Sequence, residues 1–183
     1  MSERRDALLR RVVAAAADGG LARRSLRDLA AHVGTSHRML IHHFGSRDGL
    51  LAAVVEAVER EQNERIGELP RDPAEALRST WRQTSDPSLW GVERLFFECY
   101  ARGAQGEAPF DRLVPGLVDQ TLTALAAQHS DLVVGTEGAT MARLGIAVVR
   151  GLLLDLVATG DRVATDRALE LFASMVERHF INA

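Results

Sequence analysis

The stretch Leu26-Arg-Asp-Leu-Ala-Ala-His-Val-Gly-Thr-Ser-His-Arg-Met-Leu-Ile-His-His-Phe-Gly-Ser-Arg-Asp-Gly-Leu50 decides the fold. Leu26, Leu29, Ala30 and Val33 recur at helical spacing behind Ser25, a residue type that caps helix N-termini. Gly34 breaks this short helix, and Ser36 opens a second that turns Leu40 and Phe44 inward. Gly45-Ser46 restarts the chain, and a further helix from Arg47 buries Leu50, Leu51, Val54, Val55 and Val58. Two short helices, 25–33 and 36–43, joined at Gly34-Thr35, have helix-turn-helix spacing: one braces, the other enters the major groove of DNA. Ala30 is small where the two helices cross. With Leu40 and Phe44 as anchors, His37, Arg38, Met39, Ile41 and His42 face outward.

Upstream, a helix from about Arg4 to Asp18 carries the stripe Leu8, Leu9, Val12, Val13 and Ala16, and Gly19-Gly20 is expected to stop it. Downstream, the charged run Glu56 to Arg65 reads as solvated. A boundary is expected at Gly67 to Pro73, where two prolines cannot continue a helix. Helices are predicted near 74–84, 88–102, 110–129, 137–159 and 163–180, with no period-2 strand pattern, so the fold class is all-α. In the last two, Leu144, Val148, Leu152 and Leu156 are expected to form one face, and Leu169, Phe172, Ala173, Val176 and Phe180 another.

The net charge is −3, but it is unevenly spread. Residues 1–50 hold nine arginines against five acids, and residues 51–183 hold thirteen against twenty. A basic end on an acidic body would orient that end toward phosphate, although by itself such a distribution is more often an ordinary solvated surface. All 22 basic residues are arginine, which excludes a phosphate-loop lysine or a Schiff base. No catalytic motif is present: neither Gly-x-Ser-x-Gly, His-Glu-x-x-His nor a dinucleotide-binding glycine pattern. The apolar run Leu144–Val157 is cut by Arg150 and Asp155 and is too short to span a bilayer. A single cysteine, Cys99, and a charged N-terminus make a soluble cytoplasmic protein the expectation.

His32, His37, His42 and His43 lie within twelve residues. Adjacent His42 and His43 point to different sides of a helix and nearby Cys and carboxylate partners are missing, so DNA contact is favoured over a metal site. Cys99 reads as a small buried hydrophobe. Trp81, Trp90, Phe96, Phe97 and Tyr100 fall in consecutive segments, where they either pack a core or line a small-molecule pocket.

Residues 26–50 resemble the TetR family of bacterial transcriptional regulators. The resemblance is carried by Leu29-Ala30, the Gly34-x-Ser36 turn, the Leu40-x-x-His43-Phe44 ending and the Gly45-Ser46-Arg47-Asp48 start of the next helix. It extends over about residues 5–58. Beyond them only length, helical content and the segment Arg150–Asp161 are similar. Ile41 stands where the family usually has a tyrosine that contacts the DNA backbone, and Thr35 replaces a usual apolar residue.

The resemblance implies an N-terminal three-helix DNA-binding domain over 1–50. A linking helix at about 47–66 would join it to a C-terminal effector-binding and dimerisation domain over 67–183. It implies that Arg27 reaches a base edge or phosphate, and that His37, Arg38 and Met39 face bases, with Arg38 suited to guanine O6 and N7. Ser25, Thr35, Ser36, His43 and Arg47 would contact phosphates, and outward-facing His42 is grouped with these DNA contacts. For an effector, the aromatic residues above with Met141 and Arg143 are the candidates. For pairing of the last two helices with a second copy they are Leu152, Leu156, Leu169, Phe172 and Val176. The implied function is a homodimeric repressor, released from a palindromic double-stranded operator by a small-molecule effector, without cofactor, metal or membrane. The alternative is a small helical enzyme or ligand carrier with a vestigial DNA-binding head.

Overall fold

A computed structural model describes residues 3–17, 24–128 and 135–181. Gly19-Gly20, the expected stop of the first helix, lies outside them. The described residues form helices and no strand: α1 (Glu3–Ala17), α2 (Leu26–His32), α3 (His37–Phe44), α4 (Arg47–Glu64), α5 (Pro73–Thr84), α6 (Trp90–Ala104), α7 (Phe110–Gln128), α8 (Gly135–Thr159) and α9 (Arg162–Ile181). Short 3-10 turns occupy Arg65–Glu68 and Pro87–Leu89. No described helix is long and apolar enough to cross a membrane.

The helix starts follow from their caps. Ser25, Ser36, Ser46 and Asp72 each accept a hydrogen bond from the backbone N–H three residues on, at 2.8–3.2 Å. Pro73 then fills the first position of α5, where a missing N–H costs nothing.

The chain packs as two compact units, and these do not follow chain order. The first comprises Met1–Glu61 with Ser88–Leu117, the second Gln62–Pro87 with Val118–Ala183. Thus α4 and α7 each begin in the first unit and end in the second.

The first unit has one core. Val12, Leu29, Ala30, Leu40, Leu50, Val54 and Val55 meet Val92, Leu95, Phe96 and Cys99, the inward stripe of α6, and Phe110, Leu113 and Leu117 of α7. Each fully buried aliphatic or aromatic side chain contributes about 1.5–3 kcal/mol. Cys99 is a core residue here, and burial pushes its thiol pKa up to about 12, so it is not a reactive thiolate.

In the second unit α5 packs on the α8–α9 hairpin, which turns at Gly160 with φ 75°. Buried Trp81, Val149, Leu153, Leu156, Leu169, Ala173 and Val176 fill it. Polar bonds pin α5 to α9: Trp81 Nε1 donates to Asp166 at 2.6 Å and Arg78 grips Glu170 at 2.6 and 2.9 Å. Arg162 donates to the carbonyl and hydroxyl of fully buried Ser85.

The row Leu144, Val148, Leu152, Leu156 is not one face. Leu144 is 46% exposed and Leu156 fully buried. Each four-residue step rotates about 40° around a helix of 3.6 residues per turn, so three steps carry the row from solvent to core. On α9, Phe180 likewise leaves the buried stripe and is exposed.

Candidate nucleic-acid interface

The α2–turn–α3 element is built as its sequence predicts. Val33 ends α2, and Gly34 takes φ 66°, a left-handed conformation that favours glycine. Thr35 N–H then closes back on the Ala30 carbonyl at 2.8 Å. Leu40 and Phe44 are buried, and Arg38 and His42 lie one turn apart on the opposite, exposed face of α3. His37 and Met39 are also exposed, and Ile41 and His43 are half-buried on its flanks.

Helix α1 supplies two positioning residues that pattern reading did not single out. Arg11 Nη1 donates to the Val33 carbonyl at 2.8 Å, capping the C-terminus of α2 at the turn. Arg5 lies over the Phe44 ring at 5.0 Å and donates to the His43 carbonyl at 3.4 Å, holding the far end of α3. Only their charge was a signal, because an arginine bound to a carbonyl 22 or 38 residues away leaves no mark on local periodicity.

At the start of α4, Gly45 takes φ 76°, and a Cβ on Gly49 would collide with the Phe44 carbonyl oxygen. The close approach of α4 to the end of α3 therefore requires glycine at 49, another residue the sequence reading passed over. Half-buried Arg47 opens α4, and Asp48 beside it is held by Arg102 of α6 at 2.8 and 2.9 Å.

Of the expected DNA contacts, Arg27, Ser36, His37, Arg38, Met39 and His42 are exposed, and Thr35, His43 and Arg47 half-buried. Ser25 is exposed too, but its hydroxyl donates to Asp28 at 2.6 Å while it caps α2. The His42 and His43 rings meet edge to face at 5.0 Å. Among the described residues no three His, Cys, Asp or Glu side chains are grouped to share a metal ion.

The expected effector residues divide between the units. Phe96, Phe97 and Tyr100 form a ring cluster on α6 with centroids 5.3 and 5.8 Å apart; Phe96 is buried in the core and Tyr100 exposed. Trp90, half-buried, is stacked by Arg94 at 5.8 Å. Trp81, Met141 and Arg143 belong to the second unit, with Trp81 buried, Met141 half-buried and Arg143 exposed. Of the residues expected to meet a second copy, Leu156, Leu169 and Val176 are buried within the chain, and Leu152 and Phe172 half-buried. Among the described residues, the large exposed apolar side chains of α8 and α9 are their neighbours Leu144, Leu154, Val163, Leu171, Met175 and Phe180.

A helix-turn-helix with a buried anchor face and an exposed polar face is the arrangement used by DNA-binding proteins of the transcription-factor class. Residues 8–54 match the profile of the bacterial regulatory proteins of the tetR family, so this segment is similar to the N-terminal domain of those regulators. The fold likeness covers nearly the whole chain. A transcriptional regulator from Rhodococcus sp. Rha1 is similar with TM-score 0.76 and 24% identity, over 96% of each chain. A TetR-family regulator from Pectobacterium atrosepticum gives 0.68 and 23%, over 96% of this chain and 91% of its own. One from Streptomyces coelicolor gives 0.69 and 15%, over 96% and 79%. No curated protein sequence matches the chain.

Proposed function

We propose that the protein is a homodimeric transcriptional repressor that binds a palindromic operator and leaves it when a small molecule occupies its C-terminal helices. The observation that carries DNA reading is the exposed face of α3, where Arg38 and His42 stand outward on a helix anchored by Leu40 and Phe44. Arg38 offers a planar fork matched to guanine O6 and N7, and Arg47 a cation for phosphate at the start of α4. A single recognition helix covers too few base pairs for high specificity. Two-fold pairing places two in successive major grooves about 34 Å apart.

Pairing is supported by an unpartnered seam. Leu144, Ala147, Gly151, Leu154 and Ala158 of α8 are all exposed and spaced 3, 4, 3 and 4 residues apart, and Ala164, Ala168, Leu171 and Met175 continue the pattern on α9. That spacing is the repeat of helices packing along a seam, and a Cβ at Gly151 would meet nothing within its own chain. The second copy is therefore proposed to dock on these residues, rather than on the buried Leu156, Leu169 and Val176. Effector release rests on the family resemblance and requires that the ligand bind one dimer state more tightly than the other.

Fluorescence anisotropy tests the reading, with the DNA upstream of this protein's gene as probe and random DNA as control at several salt concentrations. Tight, salt-sensitive preference for the upstream DNA is expected. Weak and equal binding to both would overturn regulation of its own gene, and equal binding to a genome-wide fragment pool would overturn sequence reading altogether.

A further inference from the structure

Among the described residues of α1 to α4, Met39 is the one large apolar side chain that stands in solvent, with 40% of its surface exposed. Every other leucine, isoleucine, valine and phenylalanine of these helices is buried or half-buried. Met39 belongs to the first turn of α3, and backbone bonds fix its place there. Its N–H donates to the Ser36 hydroxyl at 3.2 Å and to the Ser36 carbonyl at 3.0 Å. Leu40 and Phe44 face the core. Met39 therefore lies beside exposed His42, three residues and about 60° away around the helix, and next to exposed Arg38. Arg38, Met39 and His42 share the outward face of α3, one apolar member with two polar ones.

The base-pair edges in the major groove are almost wholly hydrogen-bonding groups. Adenine, guanine and cytosine present ring nitrogens, carbonyl oxygens and amino groups there, and thymine alone adds a methyl group, at C5. A thioether has no hydrogen to donate and accepts only weakly. Against a phosphate, an amino group or a carbonyl oxygen it would desolvate a polar group and return nothing. Against a methyl group it buries apolar surface on both sides, and its unbranched, polarizable chain adjusts to the fit. Consecutive Cα atoms are about 3.8 Å apart and successive base pairs about 3.4 Å, so a base contact by Met39 falls within about two base pairs of one made by Arg38.

We infer that Met39 is a specificity-determining residue that reads the C5 methyl group of a thymine, within about two base pairs of the guanine proposed for Arg38. The inference rests on the reading of α3 as the helix that enters the major groove. It adds to that reading the identity of a base and the atom by which it is recognised.

The test uses the DNA fragment that the protein selects most strongly from a genome-wide pool. Deoxyuridine replaces thymine at one position at a time, in both half-sites; it keeps the pairing and the O4 acceptor and lacks only the methyl group. Anisotropy is read for wild type and Met39→Ala, with melting curves alongside. Replacing the critical thymine is expected to weaken wild-type binding about fourfold per half-site, the worth of one buried methyl group, and replacing a thymine outside the half-sites to change nothing. Met39→Ala is expected to melt as wild type does, because the side chain is exposed, and to lose at least that factor on the unmodified fragment. It is also expected to bind the thymine and deoxyuridine fragments equally. Equality separates a direct contact from an effect of deoxyuridine on DNA shape, which Met39→Ala would leave in place. The absence of any half-site thymine whose replacement weakens binding, or a deoxyuridine effect that persists in Met39→Ala, overturns the inference while leaving DNA reading intact. Selection of no fragment over random DNA overturns the reading of α3 instead.

Discussion

Arg11 of α1 donates from Nη1 to the carbonyl oxygen of Val33, 2.8 Å away, at the point where α2 gives way to the turn. A charged donor there meets the negative end of the α2 dipole and satisfies a carbonyl that the helix leaves open. Arg11→Met keeps most of the aliphatic stem and removes the bond. It is expected to destabilise the first unit by about 1–2 kcal/mol in urea melts. A salt slope of DNA binding unchanged from wild type would place Arg11 in the scaffold; a flatter slope would make it a phosphate contact instead.

Gly49→Ala tests the approach of α4 to α3. A methyl group at 49 would collide with the Phe44 carbonyl oxygen, so backbone must shift. A loss of about 1–3 kcal/mol in folding stability is expected, as for other overpacked sites. Gly116→Ala is the control, since a Cβ there meets nothing. If both variants melt alike, the contact is not a constraint.

Arg38 and Arg47 are expected to fail in different ways. Arg38→Ala should cost about 1–3 kcal/mol on the operator and relax preference at one base pair, because it removes a fork aimed at base edges. Arg47→Ala should weaken operator and random DNA alike and flatten the salt slope by about one unit per subunit. Identical behaviour of the two on both DNAs would show that this division of labour is wrong.

The seam on α8 and α9 makes a clean comparison. Leu171 is 63% exposed and Leu156 fully buried. Leu171→Glu is expected to leave folding within about 0.5 kcal/mol and to produce monomers in sedimentation experiments. Leu156→Ala should cost about 2–5 kcal/mol of folding stability, the usual range for a buried leucine. A Leu171→Glu protein that stays dimeric would remove this seam as the interface.

The Asp48–Arg102 pair has a definite pH signature. Its folded-state carboxyl titrates below the ordinary aspartate value of about 3.8, so its contribution is present above that value and disappears as pH falls through the lowered one. Both side chains are partly exposed, at 35% and 26%, which keeps the contribution below about 1 kcal/mol. Melting temperatures of wild type and Asp48→Asn should differ by a constant amount above about pH 5 and converge at lower pH. A gap that persists in acid would mean the pair is not its source.

Local sequence chemistry is enough to specify the helix-turn-helix. Ser25, Gly34, Ser36, Gly45 and Ser46 act through caps and turns a few residues away, so their reading survives intact in the structure. It also determined the helices of the rest of the chain, because apolar spacing is a local signal. Which apolar residues would be buried was decided only in three dimensions. Helices α8 and α9 are apolar on two sides, and the pattern alone does not say which side meets α5 and which meets solvent. The packing of α6 into the first unit was hidden for a related reason: Val92, Leu95, Phe96 and Cys99 announce a buried face but not the core that receives it. Arg5, Arg11, Gly49 and Arg102 were silent in the sequence because each acts on an atom that only folding brings near: a carbonyl, a ring, or a carboxylate 54 residues away.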